Sequence, residues 1–177
     1  MAWRAEVAGR LRELLRESSR EPAAQVVVRR GGRGAADGAL RELRELSLDG
    51  PSAAGGSCRL RAEGAPVAEA SLGALVLWLA ASAPAPQTRP AMLAEARRVL
   101  RPGGVLIVVD HNRPRTWWRR VRNALWCALH GIDPVRRPAY PVAREVLAAG
   151  FADVALRLAC AERIQIVRAR RAEASAC

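Results

Sequence analysis

Residues 93–114 read LAEARRVLRPGGVLIVVDHNRP, and this stretch decides the fold. Leu93, Ala96, Val99 and Leu100 recur at helical spacing, with Glu95, Arg97, Arg98 and Arg101 on the other side, so the segment opens as an amphipathic helix. Pro102-Gly103-Gly104 is expected to stop it, because proline cannot continue a helix and glycine accepts a left-handed exit. Val105 to Val109 is then an unbroken β-branched and aliphatic run, the pattern of a strand buried on both faces of a parallel sheet. Asp110-His111-Asn112 follows at the strand's carboxyl end, where open α/β sheets bind ligands.

Outward from this core the chain alternates strands and helices. A leading helix is expected within residues 1–22, its body from 3 to 20, with Val7, Leu11, Leu14 and Leu15 as the apolar stripe. Gln25 to Val28 reads as a first strand. The glycine-bearing turn Arg29-Arg30-Gly31-Gly32-Arg33-Gly34 and a helical run from Ala35 to Leu46 come next, an order that lets backbone N–H groups approach a ligand. Leu46 to Asp49 is the candidate second strand, and Gly50 to Ser57 is a loop by composition. Cys58 to Glu63 alternates as a third strand would. Leu72 to Ala80 is a second continuous apolar run, suited to a central strand and too short to span a membrane. Ser82 to Pro90 is a proline-rich loop. Arg115 to His130 is a strongly amphipathic helix, with Trp117, Val121, Leu125 and Leu129 on one side and arginines largely on the other. Asp133 to Pro141 is a proline-rich connection containing Tyr140. A helix ending at Gly150 then precedes two strands, Val154 to Ala161 and Arg163 to Val167, and a tail from 168 to 177 expected to fray.

The composition bounds the function. At 177 residues, half of them hydrophobic, the chain suits one globular domain spanning 1–177. The net charge is +12, and all 29 basic residues are arginine, so anionic surfaces and nucleotides are attracted. The arginines are spread over several helices and form no recognisable reader motif, so nucleic acid is not the expected partner. Cys58, Cys127, Cys160 and Cys177 lie far apart, which gives neither a zinc site nor a disulfide framework and fits reduced thiols in the cytoplasm. The first residues alternate charged and apolar side chains and lack the hydrophobic run of a signal peptide. No metal site is expected.

The helix, Pro-Gly-Gly and buried strand, together with Pro141 to Phe151 and its Ala149-Gly150-Phe151, resemble the class I S-adenosyl-L-methionine (SAM)-dependent methyltransferases. Within that class the stretch most resembles the small "type 11" kind related to quinone-biosynthesis methyltransferases. The resemblance covers residues 60 to 167 well and residues 1 to 59 loosely. It implies an α/β, Rossmann-like methyltransferase sandwich, a mostly parallel sheet with a closing antiparallel strand; the loop Gly50 to Ser57 stands where the family places a helix, so part of the second β-α unit is expected to be missing. It implies SAM as cofactor, held by Gly32 and Gly34 at the methionine part, Asp49 at the ribose, Glu63 at the adenine amino group, and Trp78 and Leu79 beside the cleft. Arg30 stands where the family has its first glycine, Val28 where it has an acid late in the strand, and Gly73 where it has another acid.

Within residues 111–140 the resemblance implies a lid or substrate wall, with Asn112, Arg113, Trp117 and Tyr140 as substrate contacts. The 115–130 helix could equally meet a protein or a lipid surface. His111, with an unperturbed pKa of about 6.5, is the candidate general base, and Asp110 is placed to orient it. His130 is explained by the helix dipole. The implied function is methylation of a small, hydrophobic molecule. The alternative is a catalytically inactive domain of the same fold that serves as a binding or scaffold partner.

Overall fold

The computed structural model describes residues 6–7, 9–11, 13–15, 25–29, 44–47, 67–78, 88–112, 114–129 and 141–173. The described residues from 6 to 15 are helical (α1). Then come β1 (Gln25–Arg29), β2 (Arg44–Ser47), β3 (Leu72–Trp78), α2 (Thr88–Val99), β4 (Leu100–His111), α3 (Trp117–Leu129), α4 (Val142–Ala148), β5 (Phe151–Ala159) and β6 (Ile164–Arg171). The strands form one sheet in the order β2-β1-β3-β4-β6-β5. β2, β1, β3 and β4 pair in parallel, and β6 runs antiparallel to both β4 and β5. The sheet is therefore mostly parallel with a single reversed strand, as expected. The candidate strand Cys58–Glu63 lies outside the described residues.

The sheet is buried on both faces because its central strands have apolar side chains in both registers. Leu75, Leu77, Leu106 and Val108 face one way and pack with Met92, Leu93, Ala96 and Val99 of α2, and with Val142 and Val146 of α4. Ala74, Val76, Val105, Ile107 and Val109 face the other way, with Val7, Leu11, Leu14 and Leu15 of α1. The result is a three-layer sandwich in which successive residues of a strand enter different layers. The stripe read from the leading helix is fully used: all four of its residues are buried.

Several local expectations need correction. The strand β2 begins at Arg44, so the helical run cannot extend to Leu46. Parallel pairing with β1, Val26 opposite Arg44 through Arg29 opposite Ser47, overrides the local helical pattern. Thr88 to Pro90 belong to α2 and not to a loop, since proline fits the first turn of a helix. Glu95 is not on a solvent face: it is buried, and Arg98 donates to both of its carboxylate oxygens at 2.7 and 2.8 Å. The closing strands are longer than read, and β6 continues to Arg171, so residues 168–171 are ladder and not frayed tail.

Pro102-Gly103-Gly104 also acts differently from a helix exit. The helix ends at Val99 and the strand starts at Leu100, with the proline inside it. Leu72 pairs with Leu100 but Ala74 pairs with Val105, so Arg101 to Gly104 bulge out opposite Gly73 alone. A bulge is where a strand tolerates proline. Gly103 supplies a φ of +73°, and the Arg171 guanidinium donates to the carbonyls of Arg98 and Leu100 beside it. A β-carbon on Gly104 would lie 2.7 Å from the Arg101 carbonyl oxygen and 3.2 Å from that of Leu72. Gly104→Ala is therefore expected to cost about 1–3 kcal/mol in denaturant unfolding, because backbone must move to admit it.

Candidate active site

The sheet topology marks a candidate site before any side chain does. β1 lies between β2 and β3, so the chain leaves β1 toward one side for β2 and later crosses to the other for β3. Such a reversal opens a crevice at the carboxyl ends of the strands, where open α/β sheets hold ligands. Register fixes the edge: Arg29 pairs with Trp78, and Trp78 with Val109. The end of β1 at Arg29, the end of β3 at Trp78 and the end of β4 at Asp110 to Asn112 thus share one rim.

Trp78 reaches this rim but is buried in the α1 layer, in one cluster with Leu11, Val109 and Ile164. Gly32, Gly34, Asp49, Glu63, Leu79, Arg113 and Tyr140 lie outside the described residues.

At the end of β4 alternate residues divide between the layers. Asp110 faces α2 and α4 and is almost fully buried. Its Oδ2 accepts from Arg89 Nη1 at 3.1 Å, and its Oδ1 accepts from the backbone N–H of His111 at 2.7 Å. Arg89, also buried, spans to α4, where Nε and Nη2 lie 2.8 and 2.7 Å from Glu145 Oε2. Burial pushes the Asp110 carboxyl up from its ordinary value, and the Arg89 charge and the His111 amide oppose the rise. Asp110 therefore clamps two helices to the strand end and is not the group that orients the His111 imidazole. Nothing in the local sequence flagged Arg89. A cation in the first turn of a helix opposes the helix dipole, and two carboxylates from distant segments offset that here.

His111 is half-buried at the rim, its carbonyl accepting from Gln165 Nε2 at 2.8 Å. Asn112 straps the rim to the β5–β6 turn: its N–H donates to the Arg163 carbonyl at 2.7 Å and its Nδ2 to the Glu162 carbonyl at 2.9 Å. Trp117 starts α3 beyond this strap and is 75 % exposed. The structure thus brings His111 and Asn112 together at the carboxyl edge and sets Trp117 on the helix that leaves it.

The turn itself is unusual. Cys160, Ala161 and Glu162 have φ of 53°, 54° and 68°, a left-handed run of three non-glycine residues. The Asn112 bonds and the Arg119–Glu162 pair hold it. Arg119 holds the Glu162 carboxyl below its ordinary value. Burial, reinforced by the Glu6 carboxylate, pushes the Cys160 thiol up to about 11. Ala161→Gly is expected to raise stability by about 0.5–1 kcal/mol in thermal unfolding, since glycine adopts this backbone without strain.

Among the described residues no group of three or more His, Cys, Asp or Glu could hold a metal ion, and no helix is long and apolar enough to cross a membrane.

No family model matches the chain, and no curated protein does. Solved structures do. A SAM-dependent methyltransferase from Archaeoglobus fulgidus superposes with a TM-score of 0.65 at 13 % identity, over 94 % of this chain and 94 % of that one. A chain of the Haloferax volcanii complex between the Trm112 methyltransferase activator and the putative methyltransferase gives 0.61 at 15 %, over 99 % and 97 %. A putative methyltransferase from Bacillus halodurans gives 0.57 at 12 %, over 93 % and 99 %. The chain has the fold of the SAM-dependent methyltransferases.

Proposed function

We propose that the chain is a SAM-dependent methyltransferase acting on a small, hydrophobic molecule. The observation that carries this reading is the fold, whose strand order reverses at β1, the strand that a glycine-bearing stretch follows in the sequence. In this reading Gly32 and Gly34 let the turn's backbone close on the cofactor, Asp49 accepts from the ribose hydroxyls and Glu63 from the adenine amino group. Leu79 bounds the cleft, with Trp78 packed behind it against α1. Bound SAM supplies a methyl group on a sulfonium, a strong electrophile that needs an acceptor held in line. Asn112, Arg113, Trp117 and Tyr140 form the acceptor's wall.

His111 takes the proton that a hydroxyl or acidic carbon gives up as it is methylated. His111→Ala is expected to lower the rate of labelled methyl transfer into organic-extractable acceptors by about 10²–10⁴-fold. SAM affinity should stay unchanged. A variant that transfers methyl at the parent rate would remove His111 from the chemistry.

A second reading, an inactive domain of the same fold retained as a binding or scaffold partner, draws on Val28 and Arg30, which depart from the methyltransferase turn. It expects no cofactor binding at all.

A further inference from the structure

The helix α3 is mounted the wrong way round for a globular domain. At about 100° per residue, Trp117, Trp118, Val121, Leu125 and Leu129 fall with two alanines within an arc of about 140°. An apolar arc of that width ordinarily faces the core. Here it faces water: Trp117 and Leu129 are each 75 % exposed, Leu125 62 % and Val121 61 %. Contact with the domain runs through the opposite, narrow and mostly polar side. Arg119 pairs with Glu162, and Arg163 lies over the Trp126 ring at 5.2 Å.

Charge selects what covers this face. Arg120 and Arg122 fall at the two edges of the arc on the helical projection, and α3 carries no acidic residue. A second copy of the chain would bring two such arginine-edged faces together and meet like-charge repulsion. An anionic lipid surface meets both features at once: the arc enters the acyl boundary, and the arginine stems run along it while their guanidinium groups reach headgroup phosphates. Tryptophan and leucine on the apolar side with arginine at the margins is the pattern of a helix lying in an interface. Its 13 residues span about 20 Å, a length that lies on a bilayer and cannot cross one.

We propose that α3 is a docking surface for anionic phospholipid bilayers, seated through Trp117, Val121, Leu125 and Leu129 and held by Arg120 and Arg122. Because α3 leaves the carboxyl edge of the sheet just after β4, docking sets that edge against the bilayer. The surface stands independently of whether the edge transfers methyl groups.

The test floats the full chain, without cofactor, on vesicles of phosphatidylcholine alone and on vesicles of phosphatidylcholine and phosphatidylglycerol in roughly equal parts. The chain should float with the mixed vesicles and not with the neutral ones. Its tryptophan emission should shift to the blue as Trp117 and Trp118 leave water. Leu125→Asp should weaken retention at least tenfold, and Arg120→Gln with Arg122→Gln by roughly tenfold to thirtyfold. Both sites are exposed, so thermal melting should match the parent. Arg97→Gln, on α2 toward the opposite edge of the sheet, should change binding by less than about twofold.

Absence of binding to the mixed vesicles overturns the proposal. So does equal binding by Leu125→Asp, or a loss on Arg97→Gln as large as that from the α3 pair, since either would assign the attraction to overall charge. Dimerisation abolished by Leu125→Asp, with no lipid binding, would give the face to a second copy instead.

Discussion

Arg89→Met is expected to lower the stability of the chain by about 3–5 kcal/mol, because it breaks a buried ion pair by removing one partner. Arg89 is the sole bridge among the described side chains between Asp110 at the end of β4 and Glu145 on α4. Without it Asp110 stays almost fully buried, with the His111 amide as its only donor among the described residues. The cost should show as a melting temperature lower by roughly 10 °C or more.

The pH dependence is specific. Burial already raises the folded-state value of Asp110 against the pull of Arg89. A carboxyl whose folded value is raised destabilises the fold once pH climbs past its unfolded value, near 3.9. Removing Arg89 raises it further, so the variant's deficit should grow as pH rises past the parent's own raised folded value and shrink toward acid pH. Adding Asp110→Asn to Arg89→Met should recover part of the loss and flatten this dependence. A pH-independent deficit of the same size would mean that lost packing, not the uncompensated carboxylate, is responsible.

Trp78→Ala should also cost about 3–5 kcal/mol, through the cavity it leaves between α1 and the sheet. Trp78 is 3 % exposed and shares a cluster with Val7, Leu11, Val76 and Ile107, so its removal loosens the layer that α1 completes. Urea unfolding followed by circular dichroism reads the loss. Trp78→Phe, which keeps an aromatic ring in place, should recover more than half of it. A change below about 1 kcal/mol for the alanine variant would show that α1 does not depend on this contact.

What could be read from the sequence follows the range over which each force acts. The strands β3 and β4 were legible because burial on both faces demands continuous apolar runs, Leu72 to Trp78 and Val105 to Val109, that few other elements need. The stripe of α1 was legible for the same local reason. The clamp at Arg89 was not, because its partners stand 21 and 56 residues away and nothing beside it announces them. Pro102-Gly103-Gly104 announced an interruption. Only the pairing of Leu72 with Leu100 shows that the interruption is a bulge inside a strand rather than a gap before one.

Periodicity likewise drew the apolar face of α3 correctly without revealing that it turns away from the domain. Polar anchors such as Arg119–Glu162 decide that, and they join segments 43 residues apart. The candidate site divides along the same line. His111 and Asn112 were found from their position after a buried strand, a local rule. The demand on Asn112 to tie down the left-handed turn at 160–162 depends on a segment about fifty residues downstream.

On the proposed reading, the carboxyl edge between β1 and β3 binds SAM. Calorimetric titration of the full chain with SAM and S-adenosylhomocysteine tests it most directly. Micromolar binding of both is expected, weakened at least tenfold by Gly32→Trp and by Glu63→Ala in chains that melt like the parent. Absence of heat and of any thermal shift at millimolar cofactor would contradict it, and would leave a methyltransferase fold that works as a binding domain.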